Sequence, residues 1–154
     1  MRITDFLHRE GIISDLKAAT KDDVLVELVE PVALTHPHMD KEALIRSLIE
    51  RENLGSTGIG GGVAIPHGKM ETLRSIAASF GKSRRGIDFH SMDNKPAHLF
   101  FLLVAPKNSA SDHLKALARV SRIVKDPILK KGLLDAQDAD EIYRLLEESD
   151  LRMP

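Results

Sequence analysis

Between Gly55 and Gly68 the chain reads Gly-Ser-Thr-Gly-Ile-Gly-Gly-Gly-Val-Ala-Ile-Pro-His-Gly, a stretch holding six of its ten glycines. Glycine lets a ligand approach the backbone closely, and successive free amides in such a loop can form an anion-binding concavity. At the end of the run stands His67, with Pro66 fixing the backbone before it and Gly68 leaving access after it. Imidazole is a nucleophile near neutral pH and forms covalent intermediates. The chemistry this points to is a phosphate-binding loop that ends in a nucleophilic imidazole another protein can reach, with Ser56, Thr57 and Gly68 as candidate phosphate-binding positions. The same residues also fit a plain turn ending in a partly exposed histidine. Composition and spacing alone do not separate the two.

Two nucleotide motifs fail. A P-loop needs Gly, four residues, then Gly-Lys-Ser/Thr, but Gly68-Lys69 is followed by Met70, and Gly81-Lys82-Ser83 has Ile76 where the first glycine belongs. A dinucleotide fingerprint starting at Gly58-Ile59-Gly60 would need glycine or alanine at Val63. No bound cofactor is expected. Cysteine is absent, which excludes disulfides, thiol catalysis and Cys-ligated zinc. His36 and His38 make a His-x-His pair that could bind metal, but no carboxylate or cysteine partner is evident nearby, so no metal is expected. His8, His90 and His98 stand alone.

The elements that must position His67 are legible in outline. The 154 residues suit one domain spanning 1–154, with 42% apolar and 29% charged residues. A net charge of −1 argues against a general nucleic-acid binder. No apolar run suits a signal peptide or a membrane span, so a cytoplasmic protein without membrane insertion is expected. Ile12-Ile13 suggests a short strand. Thr20 to Leu34 reads as a helix capped by Thr20, with Asp23 placed to cap in return and Pro31 predicting a kink or an early end. Asp40 opens a second helix with Leu44, Ile45, Leu48 and Ile49 as its buried stripe, ended by Asn53 or Gly55. Val63 to Ile65 suggests a strand stopped by Pro66. Leu73 to Phe80 and Gly86 to Phe89 read as strands around a turn at Gly81-Lys82-Ser83. Ala97 to Ala105 is an apolar run fit for a central strand covered on both faces. Ser109 opens a helix with Asp112 as its reciprocal cap and Leu114, Leu117, Ala118, Ser121 and Val124 as one face. Asp126 to Leu134 and Asp138 to Glu148 follow as helices. The resulting expectation is an α/β fold, a single mixed β-sheet flanked by helices on both faces.

The segment from Arg51 to Lys69, with His113-Leu114-Lys115-Ala116-Leu117-Ala118 and the closing helices through Tyr143, resembles the IIA component of the bacterial phosphotransferase system. The likeness is to the mannitol/fructose type (type 2), and within it to the nitrogen-regulatory proteins, whose Gly-Ser-Thr-Gly-Ile-Gly and Pro-His-Gly-Lys wording it shares. It covers nearly the whole chain, and Ala-Ile-Pro-His-Gly after such a glycine run is its most specific part. The resemblance implies the IIA mannitol/fructose-type fold and a phosphotransferase. It makes His67 the residue that accepts phosphate from a phosphorylated HPr-like carrier, His113 the second active-site histidine and Arg51 the active-site arginine. The onward partner is a regulatory target protein or, in a sugar-specific subunit, the IIB domain of a transporter. A non-phosphorylated binding module with the same fold is a further alternative. On residue type alone, Arg51 is also an ordinary cation near a helix C-terminus, and His113 an ordinary polar residue in a first turn. One departure stands out: Gly61 occupies a position where the family commonly has Asn.

Overall fold

The structure, a computed structural model, describes residues 1–154. Six strands form one mixed sheet: β1 (Ile12–Ile13), β2 (Gly58–Gly60), β3 (Val63–Ala64), β4 (His67–Met70), β5 (Ala77–Ile87) and β6 (Ala97–Pro106). Five helices accompany them: α1 (Lys21–Thr35), α2 (Lys41–Leu54), α3 (Ala110–Ile123), α4 (Pro127–Asp135) and α5 (Ala139–Leu151). The sheet order is β1-β5-β6-β3-β2, with β4 paired to β6 beyond β3.

β6 is the central strand, and its apolar run is buried on both faces, as expected. Leu99, Phe101 and Leu103 enter one core with Val120, Ile123, Leu129, Leu133, Ile142 and Leu146 of α3, α4 and α5. Phe100, Leu102 and Val104 enter a second core with Val24, Leu25, Leu28, Leu44 and Leu48 of α1 and α2. This is strand alternation at work: successive side chains point to opposite faces. Edge-on aromatic pairs mark each layer, Phe80–Phe101 at 5.8 Å and Phe89–Phe100 at 5.4 Å.

Several local expectations are corrected. β5 runs unbroken through Gly81-Lys82-Ser83, where a turn was expected, because Gly81 is a strand glycine: a Cβ there would lie 2.8 Å from Leu16. β5 instead bulges between Lys82, opposite Leu99, and Ile87, opposite Ala97. α1 continues past Pro31 to Thr35, whose hydroxyl donates to the Pro31 carbonyl at 3.1 Å. Pro66 does interrupt the strand, as expected, but pairing resumes directly after it. β3 and β4 run along β6 in unchanged register, Ala64 opposite Phe100 and His67 opposite Leu103, and Leu103 donates its amide to the Pro66 carbonyl at 3.0 Å. The missing proline amide interrupts the ladder without moving it.

The face expected to be buried on α3 is half wrong. Val124 is buried and Leu117 packs partly against the core, but Leu114 is 67% exposed, and the inward stripe is His113, Ala116, Val120 and Ile123. Ser109 gives its side chain to the Pro106 carbonyl at 3.1 Å rather than capping α3.

Candidate active site

His67 owes its position to the alternation that builds the core. Val63 and Ile65 point into the α3–α5 core, while Ala64 and Met70 point into the α1–α2 core. His67 and Lys69 continue the odd-numbered series, so both project toward the α3 side as the strand leaves the core. Burial follows: Ile65 is buried, His67 half-buried and Lys69 exposed.

The His67 ring is oriented by a hydrogen bond, with Nδ1 2.8 Å from the carbonyl oxygen of Ile65. A carbonyl can only accept, so Nδ1 carries the hydrogen. The neutral ring then has its lone pair on Nε2. The nitrogen available to an electrophile is therefore Nε2.

His113 reaches the same spot from the first turn of α3, its ring edge-on to His67 with centroids 5.6 Å apart. It is only 8% exposed, and its Nε2 is buried without a hydrogen-bond partner. An unmet buried polar atom costs about 1–3 kcal/mol. Its presence beside an open nucleophile is what a site awaiting a ligand oxygen looks like. Burial pushes the His113 pKa below the ordinary imidazole value, and the neighbouring Lys69 ammonium adds to that. His113 thus serves as a neutral ring able to donate one N–H.

Arg51 lies in the last turn of α2, half-buried, its Nη1 donating to the Gly55 carbonyl at 2.8 Å. Ser47 and Leu48, one turn earlier, pack against Gly68 of β4, and residues three and four apart share a helix face. Arg51 therefore stands along the edge strand that carries His67, but from the opposite layer.

The glycine run is a β-hairpin, not a cradle. β2 and β3 pair antiparallel around Gly61-Gly62, whose φ angles are +64° and +81°. Two positive φ values suit a tight turn between twisted strands. The turn is clasped from outside: Gly61 N–H donates to Asp93 Oδ2 at 3.0 Å, and Lys130 reaches the Gly61 carbonyl at 3.4 Å. Backbone hydrogen bonds from Gly61 and Lys95 hold the Asp93 carboxyl below its usual pKa. An anion already occupies this end of the run. The turn also lies about 16 Å along the strand from His67, at roughly 3.3 Å per residue.

Two of the three phosphate-binding expectations, Ser56 and Thr57, meet the obstacle of prior partners. The Ser56 hydroxyl donates to the Phe89 carbonyl at 2.6 Å and accepts from Gly58 N–H at 3.0 Å. The Thr57 hydroxyl donates to the Glu52 carboxylate, which also accepts from Thr57 N–H at 3.0 Å. Neither hydroxyl has a hydrogen left for a phosphate. Gly68 faces α2, where a Cβ would lie 3.3 Å from Leu48 Cδ2. Its small size lets the helix approach the strand.

Two participants escaped the sequence reading. Glu52 is buried, pairs with Lys21 at 3.0 Å, and pins the start of the hairpin to α2 through Thr57. Its signal was a carboxylate directly after Arg51 and five residues before a threonine. Lys69 shares the His67 face, and its signal was its i+2 spacing in a strand. Among the histidines without a role in the site, His36 turns Nδ1 to the Val32 carbonyl at 3.0 Å and His98 turns Nδ1 to the Ser83 carbonyl at 2.9 Å.

A half-exposed imidazole on an edge strand thus stands beside a second imidazole from a helix, at the rim of a two-sided α/β sheet. Residues 5–149 match the family model for the phosphoenolpyruvate-dependent sugar phosphotransferase system, EIIA 2, and the chain belongs to that family. It is 44% identical over 147 residues to a nitrogen regulatory protein of Bradyrhizobium diazoefficiens, covering 95% of each. It is 34% identical over 150 residues to the fructose-specific EIIABC component of Bacillus subtilis, covering 97% of this chain and 24% of that protein. The fold matches the crystal structure of nitrogen regulatory protein IIA-Ntr from Neisseria meningitidis with a TM-score of 0.87 at 28% identity, covering 94% of this chain and 98% of that one. IIA mannitol from Escherichia coli shares the fold at a TM-score of 0.75 and 23% identity, covering 90% of this chain and 97% of that one. No helix is long and apolar enough to cross a membrane.

Proposed function

We infer that this chain is a phosphohistidine carrier of the nitrogen-regulatory type, in which His67 Nε2 accepts a phosphoryl group from a phosphorylated HPr-like protein. The observation that carries this reading is the pairing of a tautomer-locked, half-exposed His67 with a buried His113 whose Nε2 has no partner. In-line transfer asks the protein for positioning and for charge stabilisation on the transferring oxygens. The Ile65 carbonyl supplies the first by fixing the ring, and His113 is placed to donate to an oxygen of the incoming group. Arg51 can add bidentate contacts from the α2 side, once its guanidinium leaves the Gly55 carbonyl. The exposed Leu114, next to His113 on α3, offers apolar surface for the donor to cover.

The regulatory branch is favoured by the 44% identical nitrogen regulatory relative. A second reading, a sugar-specific IIA subunit, is supported by the fructose-specific relative and by the shared fold with the mannitol IIA seen in complex with phosphorylated IIB. The chemistry at His67 is the same in both, and only the acceptor differs.

Incubation with a phosphorylated HPr-like carrier tests the reading. The expected product is an acid-labile, base-stable phosphate on the wild type and none on His67→Ala. An unlabelled wild type points to the binding module. Rapid onward transfer of the label to a purified fructose-type IIB domain favours the transport branch.

A further inference from the structure

We propose that Lys69 is the cation that holds the phosphoryl group on His67, a catalytic role resting on the carrier reading above. The placement comes from the strand. His67 and Lys69 are two residues apart on β4, so their side chains leave the same face with Cα atoms about 7 Å apart. The intervening Gly68 and the following Met70 turn to α2 and its core, which leaves the α3 side to His67 and Lys69. A flexible four-carbon stem carries the ammonium across that gap to the oxygens of a group on Nε2.

Lys69 is also uncommitted. Its side chain takes part in no hydrogen bond or ion pair, and the carboxylate of Glu71, just past the end of β4, is paired with Lys107 at 3.2 Å. The other polar groups at the site cannot neutralise the phosphoryl group as they stand. His113 is held neutral by burial, the Ser56 and Thr57 hydroxyls are spent, and Arg51 points its Nη1 at Gly55 from the other layer. Lys69 is near enough for its charge to depress the protonation of His113, the ring that stands edge-on to His67.

The step balances without any added group. The N–P bond of the donor's phosphohistidine breaks and leaves its electron pair on the donor imidazole, while the Nε2 lone pair of His67 forms the new bond to phosphorus. The Lys69 ammonium keeps its protons throughout and acts by charge. Neutral His113 contributes a hydrogen bond to one oxygen.

The test is single-turnover transfer from a phosphorylated HPr-like carrier to wild type, Lys69→Met and Lys69→Arg, with the donor varied to separate kcat from KM. The expected result is a loss of about 10–10²-fold in kcat for Lys69→Met, a change in KM of under about threefold, and recovery of most of the rate in Lys69→Arg. An unchanged melting temperature is expected, because Lys69 is exposed. In the unphosphorylated protein, the NMR titration midpoint of His113 rises in Lys69→Met as a positive neighbour is removed. A loss confined to KM makes Lys69 a docking residue and overturns the proposal, as does a wild-type rate in Lys69→Met with labelled wild type. An unlabelled wild type overturns the carrier reading and this role together, so the two failures are distinct.

Discussion

A nucleophilic imidazole works by holding one nitrogen and freeing the other, and in this chain the division is made by a backbone carbonyl two residues upstream. Ile65 is buried, so its carbonyl is a fixed acceptor for His67 Nδ1. His113 supplies the complementary feature, a neutral ring with an unmet nitrogen. Replacing it with alanine removes that donor, and transfer from the phosphorylated carrier should slow by about 10²-fold. Unchanged rapid-mix kinetics would exclude it from the mechanism. Its depressed pKa has a consequence for stability. The unfolded chain takes up a proton on this ring near the ordinary value of about 6.5, whereas the folded ring refuses it until lower pH. Between those two values the unfolded state binds more protons, so His113 makes stability fall as pH drops through this window. His113→Gln should therefore show a shallower loss between pH 7 and pH 5 than wild type in urea titrations. At this scale the local motif singled out His67, whereas His113 came into view only through the family resemblance, because residue type alone leaves it an ordinary first-turn polar residue; the structure brings the two rings together. The fate of Ser56 and Thr57 was not legible. A hydroxyl's partner is set by tertiary structure, and theirs are the Phe89 carbonyl and the Glu52 carboxylate.

At the scale of elements, the glycine run teaches the clearest lesson. Glycine richness signals unusual φ angles without saying what they serve. In this chain they serve a tight hairpin turn clasped by Asp93 and Lys130. The departure at Gly61 then becomes intelligible. Its φ of +64° lies in the left-handed region that asparagine visits readily, so either residue fits the turn. A Cβ there would meet only the mobile end of Lys130. Gly61→Asn should change stability by less than about 1 kcal/mol, whereas Gly61→Val should cost about 1–3 kcal/mol, because a β-branched residue is strained at positive φ. Chemical denaturation decides between them. α3 shows a different limit. Its sequence offers two apolar stripes one residue apart, and the leucine-rich one was the natural choice for burial. The structure buries the stripe that carries His113 into the site and leaves Leu114 outside. If the donor covers Leu114, Leu114→Ala should weaken its binding by about 1–2 kcal/mol, part of the gain from burying a leucine, with melting unchanged. Calorimetric titration with the HPr-like protein measures this.

Across the whole molecule, the sheet was predicted well because β6 announces itself: an apolar run of that length needs cover on both faces, and two separate cores provide it. The fastening of the ends was invisible in the sequence. Asp150 of α5 accepts from Arg119 of α3 and from the Ile3 amide at 2.9 Å, while Arg2 donates to its carbonyl at 2.9 Å. Such a pair joins residues 147 positions apart, which no local pattern reveals. Removing one partner strands a buried charge, so Asp150→Ala should lose about 3–5 kcal/mol of stability in urea. The effect on phosphoryl transfer should be small below the unfolding transition, since the rings of His67 and His113 are held by β4 and the opposite end of α3.

The central claim is that His67 presents Nε2, with Nδ1 held by the Ile65 carbonyl. It is tested most directly by phosphorylating 15N-labelled protein with the HPr-like carrier and locating the N–P bond by long-range 1H–15N correlation. Phosphate on Nε2 of His67 is the predicted result. Phosphate on Nδ1, or on any residue other than His67, contradicts the account.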